Sequence, residues 1–205
     1  MKRESIPDLT NSALTRPPAA WASEHLEGLL ITTSVLQDRV TQLANEIAAS
    51  RPREEPLLVL SLLSGAFLFT ADLVRHWTFP FELDFIKVAS YGSQTLPGEL
   101  SWKHDIQSPV KDKHLLILDD ILDTGQTLHQ VTSRLQEEQP ASIRTCVCLE
   151  KNGTQARPFP FHADHVGFII PDRFVIGYGL DFDLKFRQFP FIGVLNPDAY
   201  ASGNH

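Results

Sequence analysis

The sequence has no apolar stretch approaching the roughly 20 residues that a membrane-spanning helix needs. Residues Met1 to Ala20 carry Lys2, Arg3, Glu4 and Asp8 with three prolines, where an export signal would have an apolar run. The expected location is therefore the cytoplasm, with no membrane partner. Positive charge is also short. A formal net charge of −7 gives no general basis for binding nucleic acid or an anionic surface, so no nucleic-acid partner is expected. An acidic protein that handles phosphates must concentrate positive charge locally or recruit a cation. Cysteine is scarce: Cys146 and Cys148 stand two apart in one apolar run. Same-face neighbours on a strand make a poor disulfide, and no further cysteines complete a zinc set. They read as core thiols in a reducing compartment. The histidines show no ligand spacing, and there is no internal repeat.

Several phosphate motifs are missing too. No G-x-x-x-x-G-K-[ST] loop occurs. Gly177-Tyr178-Gly179 is a lone G-x-G, with Phe182 where a dinucleotide fingerprint needs its third glycine. A phosphatase of the Asp-x-Asp-x-Thr type would need an aspartate at 122 after Asp120, and Leu122 stands there.

What is present is enough chain for one well-packed domain: 205 residues, 42% hydrophobic and 21% charged. Gly28 to Thr32 reads as a short strand. Val35, Leu36, Val40, Leu43, Ala44 and Ile47 fall at helical spacing and predict a helix from Thr33 or Ser34 to about Ala49. Leu57 to Leu63 is nearly continuous apolar sequence, as in a strand covered on both faces, and a second amphipathic helix carries Phe67, Phe69, Leu73, Val74 and Trp77. Phe81 to Ala89 is the next strand. Ser90 to about Gln107 is polar and reads as a long functional loop. A strand from His114 to Leu118, a helix from Gln126 to Gln136 and a strand from Ile143 to Leu149 follow. This alternation predicts an α/β fold with a mostly parallel sheet and helices on both faces. From His165 onward short strands take over, at 166–170, 174–178 and 191–195.

The richest segment is Asp119 to Thr127, Asp-Asp-Ile-Leu-Asp-Thr-Gly-Gln-Thr. It joins the apolar run Leu115 to Leu118 to the helix at Leu128, so a buried strand ends in three carboxylates, a turn glycine and two hydroxyls. In open parallel sheets ligands sit at such strand ends. Carboxylates can hold a divalent metal or sugar hydroxyls. Threonines and the free N–H groups of a helix start can hold a phosphate. One or two acids could simply complement the helix dipole, but three within five residues repel each other unless a cation or ligand donors offset them. A sugar phosphate with a metal satisfies both halves.

This segment resembles the phosphoribosyl-pyrophosphate signature of type I phosphoribosyltransferases: an apolar strand, an acidic pair, two apolar residues, then Asp-Thr-Gly-x-Thr. Four further stretches resemble the hypoxanthine–guanine branch. Leu63 to Leu73 is similar to its pyrophosphate loop and following helix, and Ser90-Tyr91-Gly92-Ser93 to the start of its lid. Glu150-Lys151 is similar to its base-recognition lysine. Pro171 to Asp181, followed by Lys185-Phe186-Arg187, is similar to its purine-pocket segment. The resemblance runs from about Gly28 to Leu195. It implies the type I phosphoribosyltransferase fold, with a mostly parallel twisted sheet flanked by helices and a small hood subdomain from N- and C-terminal segments. A single domain over 21–205 is expected, with its core at about 34–164 and its hood at about 26–32 and 165–205. Residues 1–20 are expected to be a mobile or loosely attached arm.

The implied reaction moves the 5-phosphoribosyl group from phosphoribosyl pyrophosphate to hypoxanthine or guanine, giving a nucleoside monophosphate and pyrophosphate, with Mg2+ as cofactor. By resemblance Asp119 and Asp120 face the ribose hydroxyls and the metal, and Asp123 is the catalytic base. Thr124, Gly125, Gln126 and Thr127 hold the 5′-phosphate. Ser64 and Gly65 present N–H groups to pyrophosphate, with Arg187 as charged partner, and Ser90 and Tyr91 begin the lid. Lys151 donates to the purine 6-oxo oxygen, Phe174 stacks on the base and the Val175 backbone reads its edge. Asp181 supports a second magnesium. Two positions depart from the pattern. Asp119 stands where this branch more often has Glu, and Ser64 where several members have a basic residue, which bears on affinity. A catalytically idle nucleotide-binding regulator, and an enzyme for xanthine or another base, are the competing readings. The family implies a homo-oligomer, dimer or tetramer.

Overall fold

The structure is a computed structural model that describes residues 6–15, 24–52, 56–90, 100–152, 159 and 161–198. In chain order the elements are β1 (Leu26–Ile31), α1 (Thr33–Ser50), β2 (Leu57–Leu63), α2 (Phe67–Val74), β3 (Glu82–Ser90) and β4 (Leu100–His104). Then come β5 (His114–Leu122), α3 (Gln126–Glu137), β6 (Ser142–Lys151), β7 (His165–Ile170), β8 (Val175–Ile176) and β9 (Ile192–Leu195).

Six strands form one sheet in the order β4-β3-β2-β5-β6-β7. Every pairing is parallel except that of β4 with β3. Alternate residues of the central strands point to opposite faces, and the core divides accordingly. Leu57, Val59, Leu116, Leu118, Cys146 and Cys148 pack with Leu36, Val40, Leu43 and Ile47 of α1 and with Phe69 and Leu73 of α2. Leu58, Leu60, Leu115, Ile117 and Val147 pack on the other face with Leu128, Val131 and Leu135 of α3. Both cysteines are free and buried in the first of these layers. A second sheet, β1-β9-β8, is antiparallel and joins an N-terminal strand to the C-terminal segment. It is the hood, with its own cluster of Leu26, Leu29, Ile176, Phe189, Phe191 and Leu195.

The structure departs from the sequence expectations in four places. The polar stretch 90–107 contains a strand: β4 pairs with β3 through Val88 and Trp102, and the Arg134 guanidinium covers the Trp102 ring at 3.8 Å. A tryptophan at a sheet edge gives the segment something to bury. β5 continues past Leu118 to Leu122, because Asp119, Ile121 and Leu122 pair in register with β6. The acidic pair therefore lies on the strand. The segment expected as a strand over 174–178 is extended only at Val175 and Ile176, because Gly177 and Tyr178 have φ of 98° and 50°. Finally, residues 6–15 are docked where a loose arm was expected. Ile6 is buried in the core layer facing α3, Asp8 bridges to Ile169, and Thr15 bridges to Leu29.

Candidate active site

β2 leads through α2 to β3 on one side, while β5, on its other side, leads through α3 to β6. The carboxyl ends of β2 and β5 therefore diverge, which is where open α/β sheets leave a crevice. A cleft of about 350 Å³ lies there. It is lined by Leu62 to Gly65, Val88, Asp119 to Gly125, Thr127, Leu128, Asp181 and Arg187.

Its floor is very tightly fitted. A Cβ on Gly65 would lie 1.5 Å from Asp120 Oδ2, so the β2 turn comes this close to the β5 carboxylate only because residue 65 has no side chain. Gly179 approaches from the hood side with φ of 100°, and a Cβ there would lie 2.0 Å from the Gly65 carbonyl oxygen. Main sheet and hood thus meet at two glycines. The Leu63–Ser64 peptide is cis.

Asp119 is 8% exposed. Burial, the neighbouring Asp120 charge and a carboxyl–carboxyl hydrogen bond hold Asp119 well above the ordinary 3.8. Burial also raises Asp120, against the pull of its bonds to Asp119 and backbone N–H groups and of the Arg187 charge. The Asp120 and Ile121 N–H groups donate to Asp119 Oδ1 and Asp120 Oδ1 at 3.0 and 2.8 Å. A buried and a half-buried carboxyl at one strand end share too little positive charge to ionise together comfortably. A cation in the cleft would relieve them.

The start of α3 supplies the opposite polarity. Gly125 precedes it in a left-handed conformation, with φ of 84°, against the Phe159 carbonyl. No acidic side chain lies in its first turn, and Thr124 Oγ1 makes a long 3.4 Å contact with the Gln126 N–H. Helix-start N–H groups and the Thr124 and Thr127 hydroxyls therefore border the acidic pair, as an anion site requires.

Asp123 and Lys151 meet from successive strands. Lys151 Nζ is 2.8 Å from Asp123 Oδ2 and 3.1 Å from Asp172 Oδ1. Burial pulls the ammonium down, but the two carboxylates outweigh it and hold Lys151 above 10.5. Arg187 sits on the hood side, 2.8 Å from Asp181 and donating to the Gly179 carbonyl at 2.6 Å. Phe174 is 44% exposed and meets Phe182 edge-on at 5.6 Å. An aromatic ring this exposed is not a core residue. Val175, just after it, is buried in β8 opposite Val194.

The structure thus gathers Ser64, Gly65, Asp119, Asp120, Asp123, Thr124, Gly125, Thr127, Asp181 and Arg187 around one cleft. Lys151 is tied to its rim through Asp123. Gln126 begins α3 without lining the cleft, Ser90 ends β3 opposite Leu100, and Tyr91 lies outside the described residues. Sequence reasoning gave no role to Asp172, which shares Lys151 with Asp123. It also missed the Asp181–Arg187 pair, and the Tyr178 hydroxyl that donates to Asp72 at 2.8 Å, joining hood to α2. The signal for Asp172 was its place two residues before Phe174.

Comparison with known proteins agrees with this architecture. A family described as "Phosphoribosyl transferase domain" matches residues 32–183. A hypoxanthine-guanine phosphoribosyltransferase of Aquifex aeolicus is 40% identical over 163 residues, 79% of this chain and 90% of that one. A hypoxanthine-guanine-xanthine phosphoribosyltransferase of Tritrichomonas foetus is 34% identical over 179 residues, 87% of this chain and 96% of that one. Among solved structures, a hypoxanthine phosphoribosyltransferase of Staphylococcus aureus superposes with a TM-score of 0.82 at 31% identity, covering 90% of this chain and 99% of that one. One from Trypanosoma cruzi gives 0.80 at 38% identity, covering 87% and 95%. The chain belongs to the phosphoribosyl transferase domain family, as an enzyme of the branch whose relatives carry the hypoxanthine–guanine name.

Proposed function

We propose that this enzyme transfers the 5-phosphoribosyl group of phosphoribosyl pyrophosphate to a 6-oxopurine, hypoxanthine or guanine, releasing pyrophosphate and a nucleoside 5′-monophosphate. The observation that carries the reading is the cleft at the ends of β2 and β5. There the Asp119–Asp120 pair, a helix start free of acids and Asp123, which holds Lys151, border one space.

The reaction separates charge: pyrophosphate leaves with its electrons while the ribose ring becomes oxocarbenium-like. The protein's work is mainly positional and electrostatic. Asp119 and Asp120 accept the ribose hydroxyls. The N–H groups from Asp123 to Thr127, with the Thr124 and Thr127 hydroxyls, take the 5′-phosphate. Ser64 and Gly65 offer N–H groups to pyrophosphate, with Arg187 as its charged neighbour. Asp123 takes or holds the proton of the purine imidazole nitrogen. Lys151 donates to the 6-oxo oxygen, an acceptor that adenine lacks, while Phe174 covers the ring and the Val175 backbone meets its edge. Ser90 and Tyr91 open the segment that would exclude water.

Magnesium fits this donor set. Among the described residues no three His, Cys, Asp or Glu side chains converge into a protein cage. The acidic pair offers oxygen ligands, and the remainder would come from substrate and water, as this hard cation prefers. Bound there, it would neutralise phosphate charge. Asp181, proposed to support a second ion, has its Oδ1 on Arg187, so that role requires the pair to open. A cytoplasmic homo-oligomer, dimer or tetramer, completes the proposal, and light scattering tests the assembly.

The deciding experiment is a spectrophotometric assay with phosphoribosyl pyrophosphate and magnesium against hypoxanthine, guanine, xanthine and adenine in parallel. Turnover of hypoxanthine or guanine well above adenine is expected. A folded protein that binds nucleotides and turns over no base would instead be a regulator.

A further inference from the structure

The segment 6–15 precedes the region matched by the family, which begins at residue 32, yet it is stitched to both sheets. At one end it joins the free edge of β7: Ile169 N–H donates to the Pro7 carbonyl at 2.9 Å and Leu9 N–H to the Ile169 carbonyl at 2.8 Å. At the other end Thr15 and Leu29 exchange both backbone hydrogen bonds, at 2.9 and 2.7 Å. Gly28 is shaped to this passage, because a Cβ there would lie 2.6 Å from Leu14 Cβ. The segment is a strap from the main sheet to the hood.

Midway along the strap, Asn152 Nδ2 donates to Thr10 Oγ1 at 3.0 Å. The Thr10 hydroxyl in turn donates to Asp8 Oδ1 at 2.6 Å, and the Thr10 N–H reaches the same oxygen at 2.9 Å. Thr10 is therefore fixed with its lone pair aimed at Asn152. Asn152 directly follows Lys151, and its N–H bonds the Ile170 carbonyl at 2.7 Å. Lys151 pairs with Ile170, the neighbour of the residue that the strap grips. The strap thus holds the end of β6 from two sides, through the β7 backbone and through the Asn152 side chain.

We propose that Asp8, Thr10 and Asn152 form a positioning relay by which the N-terminal strap aims Lys151 at the purine base. The proposal rests on the reading of Lys151 as the purine contact. These residues touch no substrate; they act through Lys151. The direction of a donor at a strand end is set by the last pairings of that strand, and small displacements of a positioned group weaken its effect steeply.

The test compares full-length Thr10→Val, Thr10→Ser, Lys151→Met and Thr10→Val/Lys151→Met by steady-state kinetics and thermal unfolding. Thr10→Val should raise KM for hypoxanthine about three- to ten-fold, the weight of one hydrogen bond. KM for phosphoribosyl pyrophosphate should stay within about two-fold, with little change in Tm, since the bond lost is exposed. Thr10→Ser should restore wild-type values. In the Lys151→Met background the Thr10 effect should vanish. An unchanged hypoxanthine KM in Thr10→Val, equal rises in both KM values with a fall in Tm, or an effect that persists without Lys151 would each overturn the relay. If Lys151→Met itself leaves the hypoxanthine KM unchanged, the purine role of Lys151 falls and the relay with it. If Lys151→Met raises that KM and Thr10→Val does not, the purine reading stands and only the strap's role is lost.

Discussion

Gly65 and Asp120 occupy one another's space: the position a Gly65 Cβ would take lies 1.5 Å from the Asp120 Oδ2 atom. No rotamer change of an alanine can relieve that overlap, so Gly65→Ala must move either the β2 turn or the Asp120 carboxylate. We expect a loss of about 1–3 kcal/mol of stability, as for other overpacked sites. Turnover should fall much further, because the same turn would present N–H groups to pyrophosphate. Thermal unfolding together with kcat/KM for phosphoribosyl pyrophosphate checks this. Near-normal values for both would contradict the contact.

The acidic pair predicts a trade of stability against binding. Asp119 is held well above 3.8 by burial and by Asp120. A carboxyl whose folded pKa is raised contributes stability that is complete below 3.8 and is lost as pH rises through the folded value. As pH rises above 3.8 the ligand-free protein is therefore progressively destabilised by this pair. Asp119→Asn removes the ionisable group at nearly constant shape and should raise Tm at pH 7, by about 2–4 °C for each kcal/mol gained. It should also flatten the fall in stability as pH rises above about 4, and weaken phosphoribosyl pyrophosphate binding. A Tm at pH 7 below that of the wild type would show that the pair is not strained.

Lys151 is clamped between Asp123 and Asp172 at 2.8 and 3.1 Å. Its ammonium stays protonated across the neutral range, since its pKa is raised above 10.5. Lys151→Met should lower kcat/KM for hypoxanthine by about 10–100-fold, the weight of a hydrogen bond to a charged group. It should also narrow the preference over adenine. Parallel assays of the two bases read this directly, and an unchanged ratio would remove Lys151 from base recognition.

Phe174 exposes 44% of its surface, so truncating it opens no cavity in the core. Phe174→Ala should change stability by less than about 0.5 kcal/mol. The hypoxanthine KM should rise by about three- to ten-fold from lost stacking. A large fall in Tm with unchanged KM would return the ring to a packing role.

Much of this arrangement was legible in the sequence because it is local. The run Leu57 to Leu63 and the heptad-spaced face of α1 announce themselves by period. The Asp119 to Thr127 segment carries strand end, acids, glycine and helix start within nine consecutive residues. What escaped depends on pairing at long range. Lys151 reaches Asp123 only through the register of β5 with β6, and Asp172 arrives from beyond β7. Arg187 meets Asp181 across a turn in which Asp183, Leu184 and Phe186 have positive φ, which a single sequence does not announce. The strap was missed because short polar segments with prolines look alike whether they are docked or loose. β4 was missed because Trp102 is one large side chain in polar surroundings.

The most direct test of the whole account is the Asp123→Ala variant, measured for single-turnover formation of inosine monophosphate and for phosphoribosyl pyrophosphate binding in the same preparation. We expect product formation to fall by about 10²–10⁴-fold, the usual weight of a positioned acid–base group. Phosphoribosyl pyrophosphate affinity should remain within a few-fold, because the remaining phosphate and ribose contacts are intact. Near-normal turnover would show that the proton is handled elsewhere, and the cleft at the ends of β2 and β5 would no longer be the place where the base is joined to the sugar.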